Sequence, residues 1–127
     1  MASERFAAEF QARMAERRAK WPDYVKHTIR DEILEGIDRW VLTGTDVGGF
    51  LSAVLRNDLL EAMERADENN SAHLREIVTY IYNECPIHCW DGRDKGRAEK
   101  WMERGGLMRY DPMTGEERKE APCASQP

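Results

Sequence analysis

Apolar side chains recur every three or four residues from Phe6 to Met102, in runs broken at Trp21-Pro22, Thr43-Gly44, Cys85-Pro86 and Gly105-Gly106. That spacing fits one face of a helix with about 3.6 residues per turn, and it does not fit a strand, whose side chains alternate. It confines the chain to an all-α fold. The expectation is a compact bundle of four or five helices, ending in a short C-terminal hairpin or a disordered tail. At 127 residues the length suits a single domain.

A first helix is predicted over about Ser3 to Lys20, with Phe6, Phe10 and Met14 forming a narrow stripe on an alanine-rich background. Pro22 biases Trp21 away from helical geometry. Asp23 is then placed to cap a second helix carrying Ile29, Ile33, Leu34, Ile37, Trp40 and Val41. The third helix is expected from Phe50 to about Asp67, where Phe50, Leu51, Val54, Leu55, Leu59, Ala62, Met63 and Ala66 share a broad face suited to a central helix. Asp67-Glu68-Asn69-Asn70-Ser71 reads as a turn with capping residues. A fourth helix carries Leu74, Ile77, Val78, Ile81 and Cys85 as far as Pro86. The fifth, about Asp94 to Arg104, turns Ala98, Trp101 and Met102 inward and stops at Gly105-Gly106. Asp111-Pro112-Met113-Thr114-Gly115 has turn chemistry, and disorder is expected from about Ala121. The organisation is thus an N-terminal helix over 1–22, a helical core over 23–106 and a tail over 107–127.

Composition removes several functions. The chain carries 19 basic and 24 acidic side chains, a net charge of −5. Seven basic and four acidic residues fall within 1–30, and twelve basic and twenty acidic within 31–127. Binding to DNA needs a basic surface that displaces counterions, so no direct DNA binding is expected. Arg13, Arg17, Arg18 and Lys20 read as the solvated face of the first helix or as a contact for an acidic partner. No run approaches the ~18 apolar residues of a membrane span, and MASERFAAEF has no apolar signal core; the expectation is a cytoplasmic protein without membrane contact. Three cysteines do not make a disulfide framework.

Catalytic and metal patterns are missing. Cys85, His88 and Cys89, with His73, have spacing that invites zinc, but no second close cysteine pair completes four ligands and Cys85 falls on a core-facing position. No metal and no cofactor are therefore expected. Gly48-Gly49 lacks the pattern of a phosphate loop, and neither Gly-x-Ser-x-Gly nor His-Glu-x-x-His occurs. The chain reads as a non-enzyme.

The position that most invites a function is Asp58. On the wheel of a continuous third helix it falls between Val54 and Leu51, inside the apolar arc, where a carboxylate is costly unless something bonds to it. It either caps a helix or pairs with an arginine, or it grips a ligand. Asn57, Asp67 and Asn70 lie near it, Arg56 and Arg65 can offset the acidic charge, and Trp90 is either a plug over the core or an exposed anchor. These seven residues are the candidate ligand- or partner-binding set. Trp21, Trp40 and Trp101 read as core or interface fillers.

The block Gly49-Phe50-Leu51 through Asn57-Asp58-Leu59, then Ala66-Asp67-Glu68-Asn69-Asn70, then Pro86 and Cys89-Trp90, resembles a family of small bacteriophage and prophage proteins. The resemblance covers about residues 30–104. Asp46-Val47-Gly48 stands where that family more often has Pro-Pro-Gly, and Asp91-Gly92 where it has Gly-Ser. The resemblance implies a provenance: an accessory factor acting in the host bacterial cytoplasm, of the kind that counters host defence. Three readings follow. The protein binds and blocks a host protein, a defence component; or, as an oligomer, it sequesters a nucleotide immune signal; or it forms a structural or regulatory homodimer through the stripe on its first helix.

Overall fold

The computed structural model describes residues 2–111 and 116–117. Among them are eight helices: α1 (Ala2–Ala19), α2 (Asp23–Lys26), α3 (Asp31–Thr43), α4 (Gly49–Leu55), α5 (Leu59–Arg65), α6 (Glu68–Ala72), α7 (Leu74–Glu84) and α8 (Arg97–Arg104). A 3₁₀ turn at Ile87–Cys89 precedes α8, and β1 (Tyr110–Asp111) pairs antiparallel with β2 (Glu116–Glu117). The fold is all-α apart from that minimal ladder.

The structure divides the expected helices more finely. The second is two pieces, α2 and α3, separated by residues 27–30, and Pro22 rather than Asp23 occupies the cap position of α2. The expected continuous helix over 50–67 is broken after Leu55. Asn57 takes a left-handed conformation at φ 61°, its amide donates to Val54 O (3.0 Å), and the Asp58 amide reaches back to Ala53 O (2.9 Å). These two bonds are the paired terminal bonds of a Schellman stop, and asparagine is the residue after glycine that best tolerates the left-handed position. Asp58 then starts α5 by accepting the Glu61 amide at 3.3 Å. The stretch expected as a turn forms α6, opened in the same way by Asp67, which accepts the Asn70 amide at 2.8 Å.

The core is centred on α3. Leu34, Ile37 and Val41 are fully buried, against Val25 and Ile29, Leu51 and Leu55, Ile77 and Ile81, and Trp101. The tryptophans Trp21, Trp40 and Trp101 are all core residues; the Trp40 indole donates to Cys89 O and the Trp101 indole to Trp40 O, both at 2.8 Å. Met102 and Val78, expected inward, are instead exposed, because Ala98 and Trp101 set the buried face of α8 and Ile77, Tyr80 and Ile81 that of α7. Gly105 ends α8 in left-handed geometry, as expected. Gly106 (φ 75°) lies so close to the end of α3 that a Cβ there would stand 2.5 Å from Leu42 C and Thr43 N. Beyond it Leu107 and Met108 donate to Val41 O and Leu42 O at 2.9 Å, and Met108 is buried, so the chain is still part of the core at 108. The turn at 112–115 and the stretch from Ala121 expected to be disordered lie outside the described residues.

α1 packs along α3 without burying any described side chain completely. Phe10 and Met14 line a hollow of about 310 Å³ between the two helices, and the Arg109 guanidinium lies 4.8 Å over the Phe6 ring. The stripe on α1 thus meets residues of its own chain. Polar clamps add to this packing: Arg18 pairs with Asp31 (2.8 Å) and with Glu35, and stacks 4.8 Å over Trp21.

Candidate functional site

Two places in the molecule depart from the ordinary division of polar outside and apolar inside. The first is Asp38, a carboxylate with no solvent exposure. It sits four residues after Leu34 and three before Val41, a core position of α3. Its Oδ1 accepts from Arg17 Nε (2.9 Å) and from the Tyr80 hydroxyl (2.6 Å), and its Oδ2 from the Trp21 indole (3.0 Å). Arg17 Nη2 donates onward to Glu84 O (3.1 Å) and contacts the Cys85 thiol (3.8 Å). Burial, and then the neighbouring carboxylate, push the Tyr80 phenol far above its ordinary range, so its hydroxyl stays a donor. Burial opposes the Arg17 charge, but Tyr80, Cys85 and Asp38 outweigh it and the guanidinium stays protonated. Every oxygen here is satisfied, and the donors come from α1, the α1–α2 turn and α7. This is a structural clamp. It was legible in the spacing of Asp38 within Leu34, Ile37 and Val41, and attention to Asp58 missed it.

The second place is a groove between the α4–α5 hinge and α7. One depression, about 120 Å³, is lined by Val54, Asn57, Val78, Ile81, Tyr82, Trp90 and Asp91. A smaller one of about 40 Å³ adjoins it through Val54, Asn57 and Val78, and adds Asp58, Leu59, Ala62 and Leu74. Tyr82 is 69% exposed, Leu59 62% and Val78 45%. Leu60 (81%) and Met63 (42%) continue the apolar surface along α5, and Ile87 (52%) is exposed just before Trp90. Tyr82 and Trp90 stack at a tilt, with centroids 5.8 Å apart, and the Trp90 indole nitrogen is buried without a hydrogen-bond partner among the described residues. The segment that forms most of it is net acidic: residues 49–84 carry Asp58, Glu61, Glu64, Asp67, Glu68, Glu76 and Glu84 against Arg56, Arg65 and Arg75, while Lys95 bonds Arg56 O beside Asn57 (3.3 Å).

The origin of the groove is the break at Asn57. A continuous helix would carry Leu59 and Met63 onto the same face as Leu51 and Leu55; the left-handed residue resets the phase, so α5 buries only Ala62 and turns its leucines outward. Tandem use of α7 does the rest. Ile77, Tyr80 and Ile81 enter the core, while Leu74, Val78 and Tyr82 line or flank the groove.

Of the seven residues singled out in the sequence, three meet here: Asn57 lines both depressions, Asp58 the smaller and Trp90 the larger. Asp58 is exposed and occupied as a cap, which corrects its expected place inside the apolar arc. Asp67 and Asn70 lie apart at the start of α6, where Arg30 bonds Asp67 at 2.6 Å. The Asn70 amide, and then Arg30, hold the Asp67 carboxyl below the ordinary carboxylate range. Arg56 turns to Ser52 Oγ (3.2 Å), and Arg65 pairs with Glu61 one turn before it and lies against Gly49. The seven therefore do not converge on one ligand. Cys85 and Cys89 are buried free thiols, and burial followed by the adjacent Cys85 pushes the Cys89 pKa up. Among the described residues no group of three or more His, Cys, Asp or Glu is placed to hold a metal ion, and no helix is long and apolar enough to cross a membrane. Comparison with protein-family models, curated proteins and solved structures finds no match to the chain.

Proposed function

We propose that this protein is a non-enzymatic binding module, a phage-type accessory factor that occupies the surface of a host defence protein. The observation that carries the reading is the apolar groove of Val54, Val78, Tyr82 and Trp90, extended by Leu59, Leu60 and Met63 and built mostly from a net acidic segment. Contiguous exposed apolar surface of this kind, rimmed by charge, marks interaction sites on soluble proteins. The occupant it fits is an amphipathic helix of the partner, with apolar anchors at three- and four-residue spacing and lysine or arginine at its flanks. Tyr82 and Trp90 are aromatic anchors of the type that dominates such interfaces.

The nucleotide reading has less support. Ligand pockets run to about 300–1,000 Å³, whereas the groove depressions measure about 120 and 40 Å³. Two hollows reach that range: one of about 310 Å³ beside α1, where Arg18, Glu35 and Asp38 are already bonded within the chain, and an open one of about 490 Å³ between α2 and α7, whose walls carry Asp23 and Glu76 beside Tyr24, His27 and Arg75.

The test is selection from a displayed library of amphipathic helices, with wild type and Val78→Asp as baits. Wild type is expected to enrich basic-flanked helices with i, i+3, i+4 anchors, and the variant to lose them while keeping its circular dichroism and unfolding midpoint. Enrichment of the same helices by Val78→Asp, or release of a nucleotide from the purified protein in place of any groove-dependent binding, would overturn the proposal.

A further inference from the structure

A separate cleft of about 100 Å³ lies between the 3₁₀ turn and α8, lined by His88, Arg97, Lys100, Trp101 and Arg104. Among the described residues its lining contains no carboxylate, on a chain whose net charge is −5. We infer that this cleft binds a single phosphoryl group, supplied as inorganic phosphate or as the phosphomonoester of a small molecule.

Three observations support it. First, α8 gathers three cations on one face. A helix arranged for its own stability places glutamate four residues before a cation; here Glu99 precedes Glu103 and Lys100 precedes Arg104, so both pairs are like-charged. The result is that Arg97, Lys100 and Arg104 share the cleft face. Second, the walls are positioned. Trp101 is 1% exposed and its indole is fixed on Trp40 O. Arg97 is oriented by Ile87 O (3.3 Å) and by Asp94 (3.0 Å), while the side chains of Lys100 and His88 have no hydrogen bond or ion pair among the described residues. Third, the size selects. The cleft, about 100 Å³, seats one tetrahedral oxyanion, and any larger group esterified to it would lie outside. The acidic body repels a long polyanion such as nucleic acid, which leaves a compact phosphoryl group as the anion that fits.

The experiment is an amide and indole NMR titration of the full chain with inorganic phosphate, with adenosine 5′-monophosphate and with adenosine, each at ionic strength matched by NaCl. Saturable shifts at His88, Arg97, Lys100 and the Trp101 indole are expected with the first two and not with adenosine. Tighter binding of the monophosphate than of phosphate assigns a phosphomonoester ligand, and the reverse assigns free phosphate. Lys100→Glu is expected to weaken binding about tenfold or more, and Lys100→Arg to retain it; Lys100 is exposed, and an unchanged unfolding midpoint separates lost binding from lost fold. The inference is overturned if NaCl alone reproduces the shifts, or if Lys100→Glu binds as tightly as wild type.

Discussion

The Asp38 clamp and the α5–α7 groove invert the usual rule in opposite directions. At Asp38 a charge is buried and both of its oxygens are bonded, from α1, from the α1–α2 turn and from α7. In the groove, leucine, valine and tyrosine side chains lie open to solvent, and the Trp90 indole nitrogen has no partner among the described residues. A saturated polar group has nothing left to offer a ligand, so its place is in holding the fold. An apolar surface left uncovered contributes nothing to the isolated chain, so on the proposed reading its contribution lies in what covers it.

The sharpest way to break that comparison is Asp38→Ala. It strands Arg17, Tyr80 and the Trp21 indole together in the interior, and removing one side of a buried charge pair costs about 3–5 kcal/mol. Urea unfolding is expected to show a loss of that size, with α1 becoming protease-sensitive first, because Arg17 and Arg18 supply the polar ties of a helix with no fully buried described side chain. A loss under about 1 kcal/mol would show that the clamp is ornamental to stability.

Tyr82→Ala tests the other side. At 69% exposed, truncation is expected to move stability by no more than about 0.5 kcal/mol. Binding of a basic amphipathic helix selected as above should weaken by about 2 kcal/mol, roughly thirtyfold, as at an aromatic anchor. Equal binding by the variant would remove Tyr82 from the interface.

The clamp also has a pH signature. The Tyr80 phenol is raised in the folded chain by burial, so above its ordinary value of 10.0 the unfolded chain loses this proton while the native chain keeps it. The unfolded state then binds fewer protons, and stability falls as pH rises, by about 1.4 kcal/mol per pH unit for one group. The contribution is complete below pH 10 and lost above it. Tyr80→Phe is expected to flatten that alkaline slope of the unfolding free energy; an unchanged slope would place the titration elsewhere.

The two regions differed in how far the sequence could reveal them. Periodicity carried the helices, the tryptophan core and the Gly105 stop, because burial repeats with the helical period wherever a helix is continuous. It carried Asp38 too, at i+4 from Leu34, although the eye goes to the Asn-Asp pair. The groove was hidden by one residue. Once Asn57 turns left-handed, every inward assignment downstream on α5 is rotated, and a wheel drawn through the break places Leu59 and Met63 in a core they do not enter. A local conformation, not a composition, decides which leucines face water.

That residue supports the smallest and most discriminating prediction. A left-handed conformation costs most side chains about 1–2 kcal/mol, which asparagine largely avoids and glycine avoids altogether. Asn57→Ala is therefore expected to destabilise by about 1 kcal/mol, and Asn57→Gly to leave stability within about 0.5 kcal/mol of wild type. Both substitutions remove the same amide from the groove wall, so the pair separates backbone from side chain. If the role of Asn57 is to set the phase of α5, the glycine variant keeps the groove and binds the selected helix as wild type does. Weak binding by a stable Asn57→Gly protein would instead make the amide a contact in its own right, and the sequence's most conspicuous polar pair would divide into one residue that meets the partner and one, Asp58, that caps a helix.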